Sequence, residues 1–468
     1  MDLRPLCTQG LESVDFCEPP TNMRLKQIKV TKLFGMFDHV INLNDQDRIT
    51  IIHGPNGYGK TAVLQMVRAI LSNNFARLRR TPFEYFGITL SDSRCLSVTK
   101  IQPPTNDDLK VKGRPVLNFK LTSAAGQTQE YQHDLLIERE GRFPLAMIES
   151  NIPDLRRIAP DVWLQNSTGK LLEIDDVFEA FGDYLPGRRP LRKPVPDWLT
   201  AIPKEFDIRL IEAQRLLSIQ DRSRSHHPEG GNAFEPAVSG YSKELASSVQ
   251  EIQARYGTFS QQLDSTFPNR VIQPKATAPI NVEALKDRLR VLEQKRQRII
   301  AAGLLTTESY YSPIFDPSQS IDTTTQGILA LYSEDVEQKL SVFTEVTEKI
   351  ELFKELVNKR FSYKSLDIEA QTGFRLKSQS GGQLLPSDLS SGEQHELVLL
   401  YELLFKTKQN ALILIDEPEL SLHVGWQVEF LSDLSRVIKL SSFDVILATH
   451  SPQIINNRWD LTIELKGP

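Results

Sequence analysis

The chain holds 468 residues, 40% of them hydrophobic and 25% charged, with a formal net charge of −5. That length exceeds one ordinary domain and suits a full core with inserted elements, while the acidic balance excludes the global basic field that announces nucleic acid. Three cysteines, Cys7, Cys17 and Cys95, all near the N-terminal end of the chain, exclude a disulfide framework and a zinc hook.

Residues 1–22, with Pro5, Pro19 and Pro20, read as a loose N-terminal arm. Further on, the run Ile49, Thr50, Ile51, Ile52 predicts a strand that feeds GPNGYGKT at 54–61. This is a phosphate-loop pattern: Gly54, Gly59, Lys60 and Thr61 fall in register, with Pro55, Asn56, Gly57 and Tyr58 between them. Behind it Ala62, Val63, Leu64, Met66, Val67, Ile70 and Leu71 repeat at three and four residues, the apolar stripe of a helix. Glycines let the backbone amides curl toward phosphate oxygens, Lys60 adds a point charge at the β and γ phosphates, and Thr61 can ligate magnesium. ATP and Mg2+ are the ligands expected.

Short alternating runs between 95 and 175, among them VLNFKLT (116–122) and YQHDLLIE (131–138), predict antiparallel strands. The basic, proline-rich PGRRPLRKPVP (186–196) reads as extended, a solvated linker ahead of the alternative, a phosphate-contacting arm. RLIEAQRL (209–216) is an apolar run closing on Gln214, and residues 221–240, with His226, His227 and two adjacent glycines, read as a flexible loop. Two neighbouring histidines without a third ligand do not make a metal site.

From Val282 a three-four rhythm runs through Leu285, Leu289, Leu292 and Ile299 and resumes at Val336, Leu340, Phe343, Ile350 and Val357, predicting two helices back to back. An arm of about twenty residues reaches only about 30 Å, so this is a stub, expected to pack mainly on itself. Its first helix carries Lys286, Arg288, Arg290, Lys295, Arg296 and Arg298, partly offset by Glu283, Asp287 and Glu293. A solvated helix face and a DNA- or partner-binding prong both fit.

Ser390, Ser391 and Gly392 precede Glu393, Gln394 and the periodic Leu397, Leu400 and Leu404, which predicts a helix N-terminus, an anion-binding feature. Leu412, Ile413, Leu414 and Ile415 predict a buried parallel strand that delivers Asp416 and Glu417 to its C-terminal edge. Asp416 is expected in the magnesium shell and Glu417 is placed to polarise an attacking water. A third strand, Val445, Ile446, Leu447, leads to His450 at the same edge.

Taken in order, GPNGYGKT, LSSGEQ (389–394), LILIDEPE (412–419) and ATHSP (448–452) resemble the motif set of the ABC-type ATPases. DEPELSLHVGWQ (416–427) resembles the RecF, SMC-related and OLD-type branch, the AAA family ATPases that include those of Septu and PARIS defence systems. LKQIKVTKLFGMFDHVINL (25–43) is similar to the strand pair that opens such heads. The resemblance implies that Gln214 is the Q-loop glutamine touching magnesium and water, and that His450 is the switch histidine. It also implies that Ser390, Ser391, Gly392 and Glu393 touch the γ-phosphate held by a second copy in a head-to-head dimer or higher oligomer. Two departures stand out. Ser421, Leu422 and His423 occupy positions where SMC and transporter members carry an aspartate, so cross-talk between two sites is expected to differ; Tyr58 replaces a small residue and is expected to face solvent.

The fold class expected is α/β: an ABC-type P-loop NTPase head with an antiparallel β subdomain and a short inserted helical, coiled-coil-like hairpin. Its divisions are the arm (1–22), an N-terminal lobe (23–220), the flexible loop (221–240), an inserted helical region (241–362) and a C-terminal lobe (363–468). The expected function is ATP hydrolysis in a dimer that gates a nucleic-acid or nuclease partner in antiphage defence or DNA repair. The 18 residues after His450 hold no Toprim nuclease, so a separate effector protein is expected to supply any cleavage, with DNA a further partner. A transport ATPase subunit is disfavoured by the long separation of Lys60 from Ser391, and an ATP-dependent scaffold without turnover is the other rival. With no apolar run long enough to span a membrane and no signal-peptide core, a cytoplasmic protein is expected.

Overall fold

The computed structural model describes residues 23–101, 115–133, 148–149, 152–159, 162–166, 170–173, 177, 181, 195–211, 217–218, 235–272, 281–306, 322–420 and 422–467. The arm, residues 186–194 of the proline-rich segment, Gln214, His226, His227 and Ser421 lie outside them. The expected loop 221–240 is described only from 235, and a helix has begun by Ala237.

Five parallel strands form the central sheet, in the order Ile208–Ile211, Leu412–Asp416, Asp444–Ala448, Ile49–His53 and Thr462–Glu464. Their near-continuous apolar sequence follows from burial on both faces. Successive side chains point to opposite sides, so Ile413, Ile415, Val445, Leu447, Ile49 and Ile51 join one hydrophobic cluster, while Leu412, Leu414, Ile446, Ala448 and Ile52 join the other. Asp416, Ala448 and Ile52 lie side by side in register. The three chains therefore leave the sheet at nearly the same level, which brings their loops together at its C-terminal edge.

On one face the helix Lys60–Leu71 packs with a six-stranded antiparallel sheet, ordered Phe37–Asn42, Leu25–Leu33, Tyr85–Leu90, Cys95–Ile101, Val116–Thr122, Thr128–His133. Phe86, Ile88, Leu96, Val98, Leu117 and Phe119 alternate inward to meet Val63, Leu64 and Val67. On the other face lie the helices Ala237–Ile272, Thr344–Arg360, Ser391–Tyr401 and Phe430–Ser441, with a three-stranded ladder from Lys364 to Leu384.

The inserted region departs from the expected two-helix stub. Its described part holds four helices, Ala237–Ile272, Val282–Ala301, Thr323–Ser341 and Thr344–Arg360. The rhythm from Val336 to Val357 is interrupted at 342–343, where Phe343 is fully buried against Tyr256 with ring centroids 5.0 Å apart. Beyond that break Ile350, Phe353, Leu356 and Val357 enter the same cluster as Leu397, Tyr401 and Ile413, so the last helix belongs to the head core. The chain also passes hard against the ladder: a Cβ at Gly303, whose φ is +79°, would lie 2.0 Å from the Ile368 carbonyl oxygen. The basic face of Val282–Ala301 is largely offset within the fold, where Arg288, Arg290, Lys295, Arg296 and Arg298 pair with four carboxylates, Glu337 serving both Arg288 and Lys295. That pairing favours a solvated structural face over a DNA prong. Among the described residues no helix is long and apolar enough to cross a membrane.

Candidate functional site

The phosphate loop takes backbone angles that favour glycine, with φ of +147° at Gly54, +85° at Gly57 and +91° at Gly59. Tyr58 does not face solvent as expected. Its half-buried ring packs on Phe37 with centroids 5.1 Å apart, and its carbonyl accepts from His39 Nε2 at 3.0 Å. The opening strand pair supplies an apolar platform for the ring, which braces the loop from the side.

Lys60 begins the following helix and is 4% exposed. Its ammonium donates to the carbonyls of Gly54 (2.7 Å) and Pro55 (3.0 Å) and lies 3.1 Å from His450 Nδ1. An ammonium can only donate, so Nδ1 accepts and Nε2 carries the proton, facing Glu417 Oε1 at 3.4 Å. Burial pushes the Lys60 pKa down, against the opposing pull of Glu417, Glu419 and Asp416. Thr61 Oγ1 donates to Asp416 Oδ1 at 3.1 Å. The two expected magnesium ligands are thus already neighbours.

Glu417 adopts a left-handed φ of +46°, and its amide donates to the Ala448 carbonyl at 2.9 Å. A non-glycine residue in that region costs about 1–2 kcal/mol, and such strain gathers at functional sites. The result is an acid turned off its strand beside the histidine.

The helix Ser391–Tyr401 starts where the sequence places it. Ser390 Oγ accepts from the Glu393 amide at 3.4 Å, while the Ser390 amide donates to Glu393 Oε2 at 2.7 Å, a reciprocal capping box. Burial pushes the Glu393 carboxyl up, yet Lys364 at 2.7 Å and the bonds from Ser390 hold it below the usual carboxylate range. Ser390 and Ser391 are exposed. None of the hydrogen bonds among the described residues joins 390–393 to the phosphate loop.

The structure therefore gathers Lys60, Thr61, Asp416, Glu417 and His450 and leaves Ser390, Ser391, Gly392 and Glu393 apart. Gln214 lies outside the described residues, although Ile208–Ile211, the strand that leads to it, pairs with the acidic strand. Two residues the sequence reading gave no role stand in the site. Glu419 Oε1 accepts from the His450 amide at 2.7 Å, and Gln427 bonds both the Glu419 carbonyl and Ser451. Nothing in composition or periodicity marks either; only their place inside DEPELSLHVGWQ does.

A parallel sheet whose level ends carry a glycine-rich phosphate loop, an acidic pair and a histidine, flanked by an antiparallel sheet, defines an ABC-type P-loop ATPase head. More narrowly, the chain belongs to the family described as AAA domain, putative AbiEii toxin, Type IV TA system, whose model matches residues 49–456. None of the curated proteins matches it. Among solved structures, it is similar to the Smc head domain of Pyrococcus furiosus, bound there to the C-terminal domain of ScpA. That pair is 13% identical over 92% of this chain and 91% of the other, with a TM-score of 0.31. The SMC head domain from Thermotoga maritima is 11% identical over 92% and 91%, with a TM-score of 0.29.

The residues present fit a nucleotide with Mg2+. Among the described residues no three His, Cys, Asp or Glu side chains cluster as a metal site, and the adjoining oxygens of Thr61 and Asp416 suit a hard cation that shares its remaining positions with phosphate and water.

Proposed function

We propose that this head hydrolyses ATP and dimerises around two nucleotides to gate a nucleic-acid or nuclease partner in the cytoplasm. The observation that carries the reading is the meeting of Lys60, Thr61, Asp416, Glu417 and His450 at one sheet edge. Lys60 would grip the phosphates, and Thr61 with Asp416 would hold the magnesium, which neutralises phosphate charge when bound. Glu417 orients the attacking water, and His450, hydrogen-bonded to Lys60 and 3.4 Å from the Glu417 carboxylate, sits between the two. The exposed helix end at Ser390 and Ser391 is free to complete the site of a second copy. A family description that names a toxin of a Type IV TA system supports antiphage defence over DNA repair as the setting.

Light scattering with and without ATP tests this. Lys60→Ala is expected to lose nucleotide binding and stay monomeric. Glu417→Gln is expected to bind ATP, hydrolyse it about 10²-fold or more slowly, and accumulate as a dimer. Equal, nucleotide-independent masses for both variants would remove the dimer from the mechanism.

A further inference from the structure

We infer that Gln427 is a positioning residue for hydrolysis, a latch that fixes the turn carrying His450 to the loop after the acidic pair; this rests on the ATPase reading above. Gln427 is 7% exposed. Its Nε2 donates to the carbonyls of Glu419 and Leu422, both at 3.2 Å, and its Oε1 accepts from Ser451 Oγ at 2.9 Å. Only this orientation of the amide works, because the reverse would press an oxygen against two carbonyl oxygens. Glu419, held through its backbone by Gln427, returns a second tie by accepting the His450 amide at 2.7 Å. The turn is also stiffened from within, where the Ser451 amide donates to Thr449 Oγ1 at 3.0 Å and Thr449 is fully buried.

These bonds close a ring: Gln427 to Glu419, Glu419 to His450, Ser451 back to Gln427. His450 in turn touches Lys60 and Glu417. The outer side of the same loop exposes Leu420 (71%) and Val424 (57%). A displacement of that surface therefore reaches the histidine through Gln427 and Glu419.

The test uses the full chain with steady-state hydrolysis, ATP binding and thermal melting on Gln427→Glu, Ser451→Ala and the double variant. Misplacing a reacting group by about 1 Å can slow turnover about 10²-fold. Ser451→Ala, which removes one bond from the open side, is expected to lower kcat about 10-fold with KM and melting temperature unchanged. Gln427→Glu is nearly the same shape but sets carboxylate oxygens against two carbonyls, and it is expected to lower kcat about 10²-fold. The double variant is expected to be no slower than Gln427→Glu, since both changes open one ring. If the wild type hydrolyses ATP and Ser451→Ala turns over at the same rate, or if the two effects simply multiply, the latch is refuted. If the wild type turns over no faster than Glu417→Gln, the ATPase reading itself falls.

Discussion

Gly59 is constrained twice, by its φ of +91° and by a neighbour. A Cβ there would lie 2.4 Å from Cδ2 of Leu33, which is itself fully buried. Gly57 has the same kind of backbone, φ +85°, with nothing within 4 Å of its ideal Cβ. Gly57→Ala is therefore expected to add only backbone strain, about 1–2 kcal/mol, whereas Gly59→Ala adds overpacking of about 1–3 kcal/mol on top. Melting of the two variants side by side checks this, and equal shifts would mean that Leu33 gives way freely. The contrast also shows what single residues disclose in advance. Lys60, Thr61, Asp416, Glu417 and His450 were legible because each sits at a fixed offset from a strand, and strand ends converge. Tyr58 was not, because what receives its ring is Phe37, on a strand far upstream. Gln427 was not, because its role depends on which carbonyls surround it in space.

At the scale of elements, three helices meet on a buried charge. Arg360, at the end of Thr344–Arg360, bonds Glu396 of Ser391–Tyr401 and Asp433 of Phe430–Ser441, with side chains 2%, 1% and 6% exposed. Burial pushes the Arg360 pKa down against the pull of Asp433, and pushes the Asp433 carboxyl up despite Arg360. Arg360 Nε and Glu396 Oε2 find no partner, so the triad is imperfectly satisfied and holds the helices in register more than it stabilises them. Arg360→Met leaves two carboxylates buried together and is expected to cost about 3–5 kcal/mol in urea unfolding at pH 7. Replacing all three residues by leucine or methionine is expected to recover most of that loss. The pH dependence has a definite sign. In the single variant the Asp433 carboxyl, already raised by burial, loses the opposing pull of Arg360 and binds a proton more tightly folded than unfolded, so the deficit shrinks as pH falls and grows as pH rises toward its folded value. A pH-independent deficit would show that water reaches the carboxylates. Strands and the capped helix starts were readable from local pattern, whereas this triad joins residues that look like ordinary surface charges in the sequence.

Among the described residues the central parallel sheet carries a large hydrophobic cluster on each side, and the fate of the inserted region follows from which of them its helices enter. Its sequence rhythm was visible, but rhythm identifies an apolar stripe and not the surface that covers it. The structure gives that surface for Thr344–Arg360: Ile350, Phe353, Leu356 and Val357 are all fully buried in the cluster that also holds Tyr401 and Ile413. Truncating one such side chain costs about 2–5 kcal/mol, so losing four approaches or exceeds the whole stability of a domain, about 5–15 kcal/mol. Replacing residues 282–360 by a Gly/Ser linker is therefore expected to abolish the cooperative melting transition and ATP binding together. Phe353→Ala alone is expected to lower stability by about 3–5 kcal/mol. Val291→Ser, on the outer helix where Val291 is 45% exposed, should stay within about 0.5 kcal/mol of the parent. A linker variant that melts cooperatively near the wild-type temperature and still binds ATP would show that the head closes its core without this helix, and that the insertion is the independent stub its sequence resembles.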